Sequence, residues 1–128
     1  AGLGIAADTR AAIAHAIEAH SFSAGIEPRT IEARVVQDAD RLDALGAVGI
    51  ARWMMVGGVL GHPLYDPDDP FAEDREPDDT RWSLDHWQVK LSRLPGTMQT
   101  ETGRAEAERR AAVMRDYLDA LRREIETR

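Results

Sequence analysis

The stretch VVQDADRLDALGAVGIARW, Val35 to Trp53, places three carboxylates, Asp38, Asp40 and Asp43, inside an otherwise apolar segment, with Arg34, Arg41 and Arg52 close by. A carboxylate in such a segment must be paired or coordinated, because an isolated buried charge costs several kcal/mol. Two chemistries suit the pattern: holding a divalent cation, or bracing a helix through the arginines. The chain contains no cysteine, so disulfides and thiolate metal sites are excluded, and any metal is held by oxygen and imidazole. Such donors favour Mn²⁺, Mg²⁺ or Fe²⁺. A net charge of -7 argues against general affinity for nucleic acid but leaves room for a small phosphorylated ligand on a local basic patch.

On a helical wheel of about 100° per residue, Asp38 and Asp40 point about 160° apart and cannot bind the same ion. At most one of them is a ligand. Asp40 and Asp43 share a face, whereas Asp38 falls in the apolar stripe beside Leu42, where Arg34 or Arg41 are its expected partners. Spacing alone does not separate ligand from brace. Nor does it settle the histidines: His20 ends an apolar row with Ile13 and Ile17 and is read as inward, and His15 on the opposite face is read as solvated.

The periodicity that must position these groups is helical throughout, and the fold class is all-α. A first helix is expected over about 9–19, capped by Asp8, and a long one over about 30–56, with Ile31, Val35, Leu42, Leu45, Gly49 and Trp53 facing inward. The segment at about 57–80 holds most of the prolines and a heavy acid load, and reads as a loop. A shorter helix over about 83–94 turns Leu84, Trp87, Leu91 and Leu94 inward. The last, about 103–126, carries a seam of Ala107, Ala111, Met114, Leu118, Leu121 and Ile125. Gly46 and Gly49 are expected to let another helix approach closely. The 128 residues read as one helical domain, without an apolar run of the ~20 residues a membrane span needs and without signal-peptide order, so a cytoplasmic location is expected.

Four ordered motifs, HSFSAG, VVQDADRLDALGAVGIAR, SLDHWQVKL and MQTETGRAEAERR, together resemble the bacterial branch of the HD-domain metal-dependent phosphohydrolase superfamily. The resemblance implies an HD-domain-like helical bundle and hydrolysis of a nucleotide or related phosphate ester. It implies a divalent ion held by an early histidine, an adjacent His-Asp pair and a later aspartate, the last matching Asp40. Arg41, which follows it, matches a basic residue that approaches substrate phosphate. His20, Arg52 and Lys90 are the other groups in the matching motifs, His20 in a catalytic role beside Asp40, Arg52 and Lys90 in substrate binding. The bland alternatives are that Arg52 pairs with acids and that Lys90 snorkels past Trp87.

No His-Asp dipeptide occurs in the sequence, and Asp85–His86 has the reverse order. The resemblance therefore implies an incomplete site, with three ligands expected on an upstream segment before Ala1, and a chain inactive on its own. The competing reading is a non-catalytic helical interaction module or a degenerate paralogue. Apolar faces that the missing helices would cover are expected to make the chain self-associate as a homo-oligomer.

Overall fold

The computed structural model describes residues 4–21 and 24–126, leaving Phe22 and Ser23 of the HSFS motif outside the described residues. Among the described residues there are five α-helices and no strand: α1 Ala7–Ala19, α2 Ile31–Leu42, α3 Gly46–Leu60, the single turn α4 His86–Val89, and α5 Glu101–Glu126. A 3₁₀ segment, Leu91–Thr97, joins α4 to α5. Leu45, Trp53, Leu91, Leu94, Met98 and Met114 fill the core, which α3, the 3₁₀ segment and α5 enclose.

The expected long helix is two helices, bent by 64° at a break between Leu42 and Gly46. Leu45 is extended and Gly46 has a φ of +75°, a left-handed conformation that residues with a Cβ adopt poorly. A neighbour stabilises the break: Arg110 of α5 donates to the Leu42 carbonyl at 2.9 Å, closing the end of α2. Its Cγ would lie 3.2 Å from a Cβ added at Gly46, so Gly46 does allow a close approach. Gly49 serves a local purpose instead, because a Cβ there would strike the Ala44 carbonyl. Two side chains expected inward are at the surface: Ile31 is 60% and Val35 53% exposed.

Helix α3 runs through Gly57 and Gly58, and Gly61, with φ +71°, caps it. Gly57 is where the 83–85 segment touches α3: a Cβ there would lie 2.3 Å from Ser83 Oγ, and Trp53 Nε1 donates to the Ser83 carbonyl at 2.6 Å. The expected helix over 83–94 is thus an irregular segment, one α-turn and a 3₁₀ stretch, although Leu84, Leu91 and Leu94 are buried as their spacing required. The acidic loop, shifted to 61–85, is held from inside. Arg75 donates to both oxygens of the buried Asp85, at 2.5 and 2.9 Å, and to the Asp69 carbonyl at 3.2 Å. Asp85 also accepts from the Asp78 amide at 2.7 Å. In α5 the buried row Ala107, Ala111, Met114 and Leu118 matches the sequence pattern.

Helix α1 packs against α2, where Gln37 Nε2 donates to the Ala19 carbonyl at 2.7 Å. It differs from expectation at three points. Its N-cap is Ala6 rather than Asp8, its face of Ile13 and Ile17 is exposed, and His20 is exposed rather than inward. His15 is not simply solvated: its Nε2 accepts from the Arg29 amide at 2.9 Å.

Candidate functional site

The acids of α2 separate as the wheel requires. Asp38 is only 3% exposed and accepts from the Gln99 amide at 2.7 Å, the Thr100 amide at 2.9 Å and Thr100 Oγ1 at 2.7 Å. It thereby closes the N-terminus of α5, whose unpaired amides and positive dipole end suit a carboxylate. A Cβ at Gly103 would lie 2.3 Å from Asp38 Oδ2, which explains the glycine in the first turn of α5. The expected arginine partner is secondary to this cap: the charges of Asp38 and Asp40 favour the Arg41 cation, but burial outweighs them and lowers its pKa. Arg41 itself is 9% exposed and donates to the Thr97 carbonyl.

Asp40 turns the other way, out to solvent, and no hydrogen bond or ion pair engages its carboxylate among the described residues. Asp43, one turn on, pairs with Arg52 of α3, and both are largely exposed. His20 follows the end of α1, with Nδ1 at 2.5 Å from the Ile17 carbonyl. The Gln37–Ala19 hydrogen bond holds that end against α2 one turn before Asp40.

Arg52 also lines a cleft of about 570 Å³ together with Trp53, His62, Asp79, His86 and Lys90. Two residues expected in substrate binding, Arg52 and Lys90, thus meet in one depression although they are far apart in the chain, whereas Arg41 does not line it. Sequence reasoning missed His62, Asp79 and His86. Asp79 lies inside the acidic loop, where nothing in its spacing marks it, and only folding brings it against His86: His86 Nδ1 lies 2.7 Å from Asp79 Oδ2. The cleft adjoins α2 through Ala44 and the Asp43–Arg52 pair. Asp40 is one helical turn, a rise of about 5 Å, further back along α2.

As a metal centre the donor set is short. Among the described residues no three or more His, Asp or Glu side chains are grouped to hold an ion. The described residues do not by themselves fit a divalent metal, for which Asp40 offers one carboxylate.

No protein-family model matches the chain. It is 42% identical over 99 residues to the uncharacterised protein YpgQ of Bacillus subtilis, a match spanning 77% of this chain and 42% of YpgQ. The solved structure of YpgQ in complex with ADP superposes with a TM-score of 0.73 at 39% identity, over 94% of this chain and 55% of that one. A Lactobacillus plantarum protein superposes with a TM-score of 0.76 at 34% identity, over 97% of this chain and 64% of that one. An HD-superfamily hydrolase from Bacillus thuringiensis does so with a TM-score of 0.64 at 40% identity, over 77% of this chain and 48% of that one. The chain spans less than two thirds of the length of each. Its all-helical fold is HD-domain-like, and these neighbours support the HD superfamily.

Proposed function

We propose that these residues form part of a metal-dependent phosphohydrolase acting on a nucleotide or related phosphate ester. The observation that carries the reading is the meeting of Arg52 and Lys90 in one cleft, beside the helix that presents Asp40 to solvent. The ADP bound to YpgQ and the hydrolase among the solved neighbours support the same class of ligand and reaction.

In this reading Asp40 supplies one carboxylate ligand to a divalent ion, whose identity is unassigned and whose other ligands lie outside the described residues. Such an ion, when held by Asp40 and further ligands, would supply Lewis-acid polarisation of a phosphoryl oxygen and a water of lowered pKa. Arg52 and Lys90 orient the phosphate oxygens and balance their charge, Arg52 being held at the mouth of the cleft by Asp43. His20, at the α1–α2 junction, is the imidazole nearest in sequence order to act beside Asp40. Arg41, buried and donating to the Thr97 carbonyl, offers little of its guanidinium to a phosphate.

The test is a chimera in which these residues replace the matching part of YpgQ, assayed for release of phosphate or pyrophosphate from nucleotides with Mn²⁺ or Mg²⁺, with and without chelator. Chelator-sensitive turnover is expected. Asp40→Ala should lower it at least ~100-fold with unchanged helical content, and Lys90→Ala should raise KM several-fold. Full activity in Asp40→Ala would remove the metal-ligand assignment.

A second reading, a helical interaction module, draws on the exposed apolar residues of α1 to α3, among them Ile17, Ile31, Val35 and Val59. An inactive chimera across nucleotides and simple phosphate esters would put that reading ahead.

A further inference from the structure

Asp79 and His86 stand out in the cleft because the sequence assigns them nothing and the fold holds them with care. His86 opens α4, whose position is set by the Trp53 hydrogen bond to the Ser83 carbonyl and by the close contact of Ser83 with Gly57. Asp79 is fixed from both sides. The Asp78 amide donates to buried Asp85, which two nitrogens of Arg75 grip, and Asp78 Oδ1 in turn accepts from the Thr80 amide at 3.1 Å and from Thr80 Oγ1 at 2.6 Å. The 2.7 Å contact between His86 Nδ1 and Asp79 Oδ2 is therefore made between two restrained elements.

A carboxylate on Nδ1 selects the ring orientation in which Nδ1 carries a proton and donates to it. Nε2 then becomes the ring atom left for a ligand, and no hydrogen bond to it is found among the described residues. The groups facing the same space are Arg52 from α3, His62 and Asp79 from the 61–85 loop, and Lys90 just beyond α4. Asp79 is turned to the imidazole, so an anion entering the cleft meets Arg52, Lys90 and the two histidines. His86 is only partly accessible, at 32% of its side chain, which strengthens a hydrogen bond from it relative to one made in open water.

We propose that the cleft between α3 and α4 binds phosphate anions through Arg52, Lys90 and the Nε2 edge of His86, with Asp79 as its positioning residue. The proposal rests on the phosphate-ester reading above and adds to it the ligand atom and the residue that positions it.

The probe is inorganic pyrophosphate added to the full 128-residue chain. The ring nitrogens of His86, followed by ¹⁵N-detected spectra, are expected to shift as pyrophosphate is added, together with the side-chain nitrogens of Arg52 and Lys90. The native chain is expected to bind pyrophosphate at least ~5-fold more tightly than His86→Gln in the same buffer, the loss of about one hydrogen bond. Asp79→Asn should reduce the His86 shift and part of the affinity while the Arg52 and Lys90 shifts persist. Movement of Arg52 and Lys90 signals with a still His86, or an affinity unchanged in His86→Gln, would overturn the assignment of His86 while leaving a phosphate site standing. Silence of all three residues up to millimolar pyrophosphate would remove both. Should His86→Gln fail to fold, the nitrogen shifts of the native chain decide alone.

Discussion

Asp38 and Asp40 are separated by one residue, and the ~200° turn of the helix between them gives each a different task. Asp38 faces in and is fully engaged by the 99–100 backbone and Thr100. Removing it leaves buried donors unpaired at the start of the longest helix. Asp38→Ala should therefore cost about 2–4 kcal/mol in urea unfolding of this chain, combining loss of an N-cap with loss of charged hydrogen bonds. Asp40→Ala removes an exposed carboxylate and should change stability by less than ~0.5 kcal/mol. The opposite ordering of the two midpoints would mean that the roles are exchanged. The sequence carried this contrast: two acids with nearly opposite directions could not both be ligands, and the one in the apolar stripe needed buried partners. The identity of those partners was not legible, because amides some sixty residues away reach Asp38 only through the path of the 3₁₀ segment.

At the scale of elements, periodicity located α5 and the buried leucines of the 84–94 segment, since both depend on a single apolar row meeting the core. It ran α2 and α3 together because the apolar pattern continues across Asp43–Leu45, and the deciding interaction is tertiary: Arg110 on the Leu42 carbonyl and against Gly46. Arg110 is aimed by Glu106, which accepts from Arg110 Nε at 2.7 Å and from Arg109 at 2.8 Å. Hydrogen bonds from Arg109 and then Arg110 hold the Glu106 carboxyl down to about 2, against an ordinary value of 4.5. Because the folded value is the lower one, the stabilisation from Glu106 is present above pH ~4.5 and is lost as pH falls toward ~2. Thermal melts of the native chain and Glu106→Gln should differ most at neutral pH and low salt, and converge near pH 2. A difference that grows on acidification would contradict the ion pair. Gly46→Ala tests the break itself: it places a Cβ at φ +75° and 3.2 Å from Arg110, and should cost ~1–3 kcal/mol in thermal or urea unfolding.

Across the whole molecule, α1, α2 and α3 leave much of their apolar surface uncovered. Val59 is 87% exposed, and Ile17, Ile31, Met55 and Leu60 are each more than half exposed. No single helix among the described residues is long and apolar enough to cross a membrane. Exposed apolar surface of this extent favours association in water. Sedimentation velocity on the 128-residue chain should show concentration-dependent association, which Val59→Lys and Ile17→Lys together should weaken. The same arrangement argues what the isolated chain can do chemically. A catalytic divalent ion takes several protein ligands while keeping positions open for water and substrate. Asp40 contributes one carboxylate, and His20, if it joined, would raise the number to two. No larger group of donors occurs among the described residues. The 128-residue chain should thus release no phosphate or pyrophosphate from nucleotides in a colorimetric assay with Mn²⁺, Mg²⁺ or Fe²⁺, with or without chelator, while still binding pyrophosphate in the titration proposed above. In the chimera with YpgQ two changes are expected together: metal-stimulated release, and loss of self-association. Chelator-sensitive turnover by the short chain would show that its own residues complete the metal site.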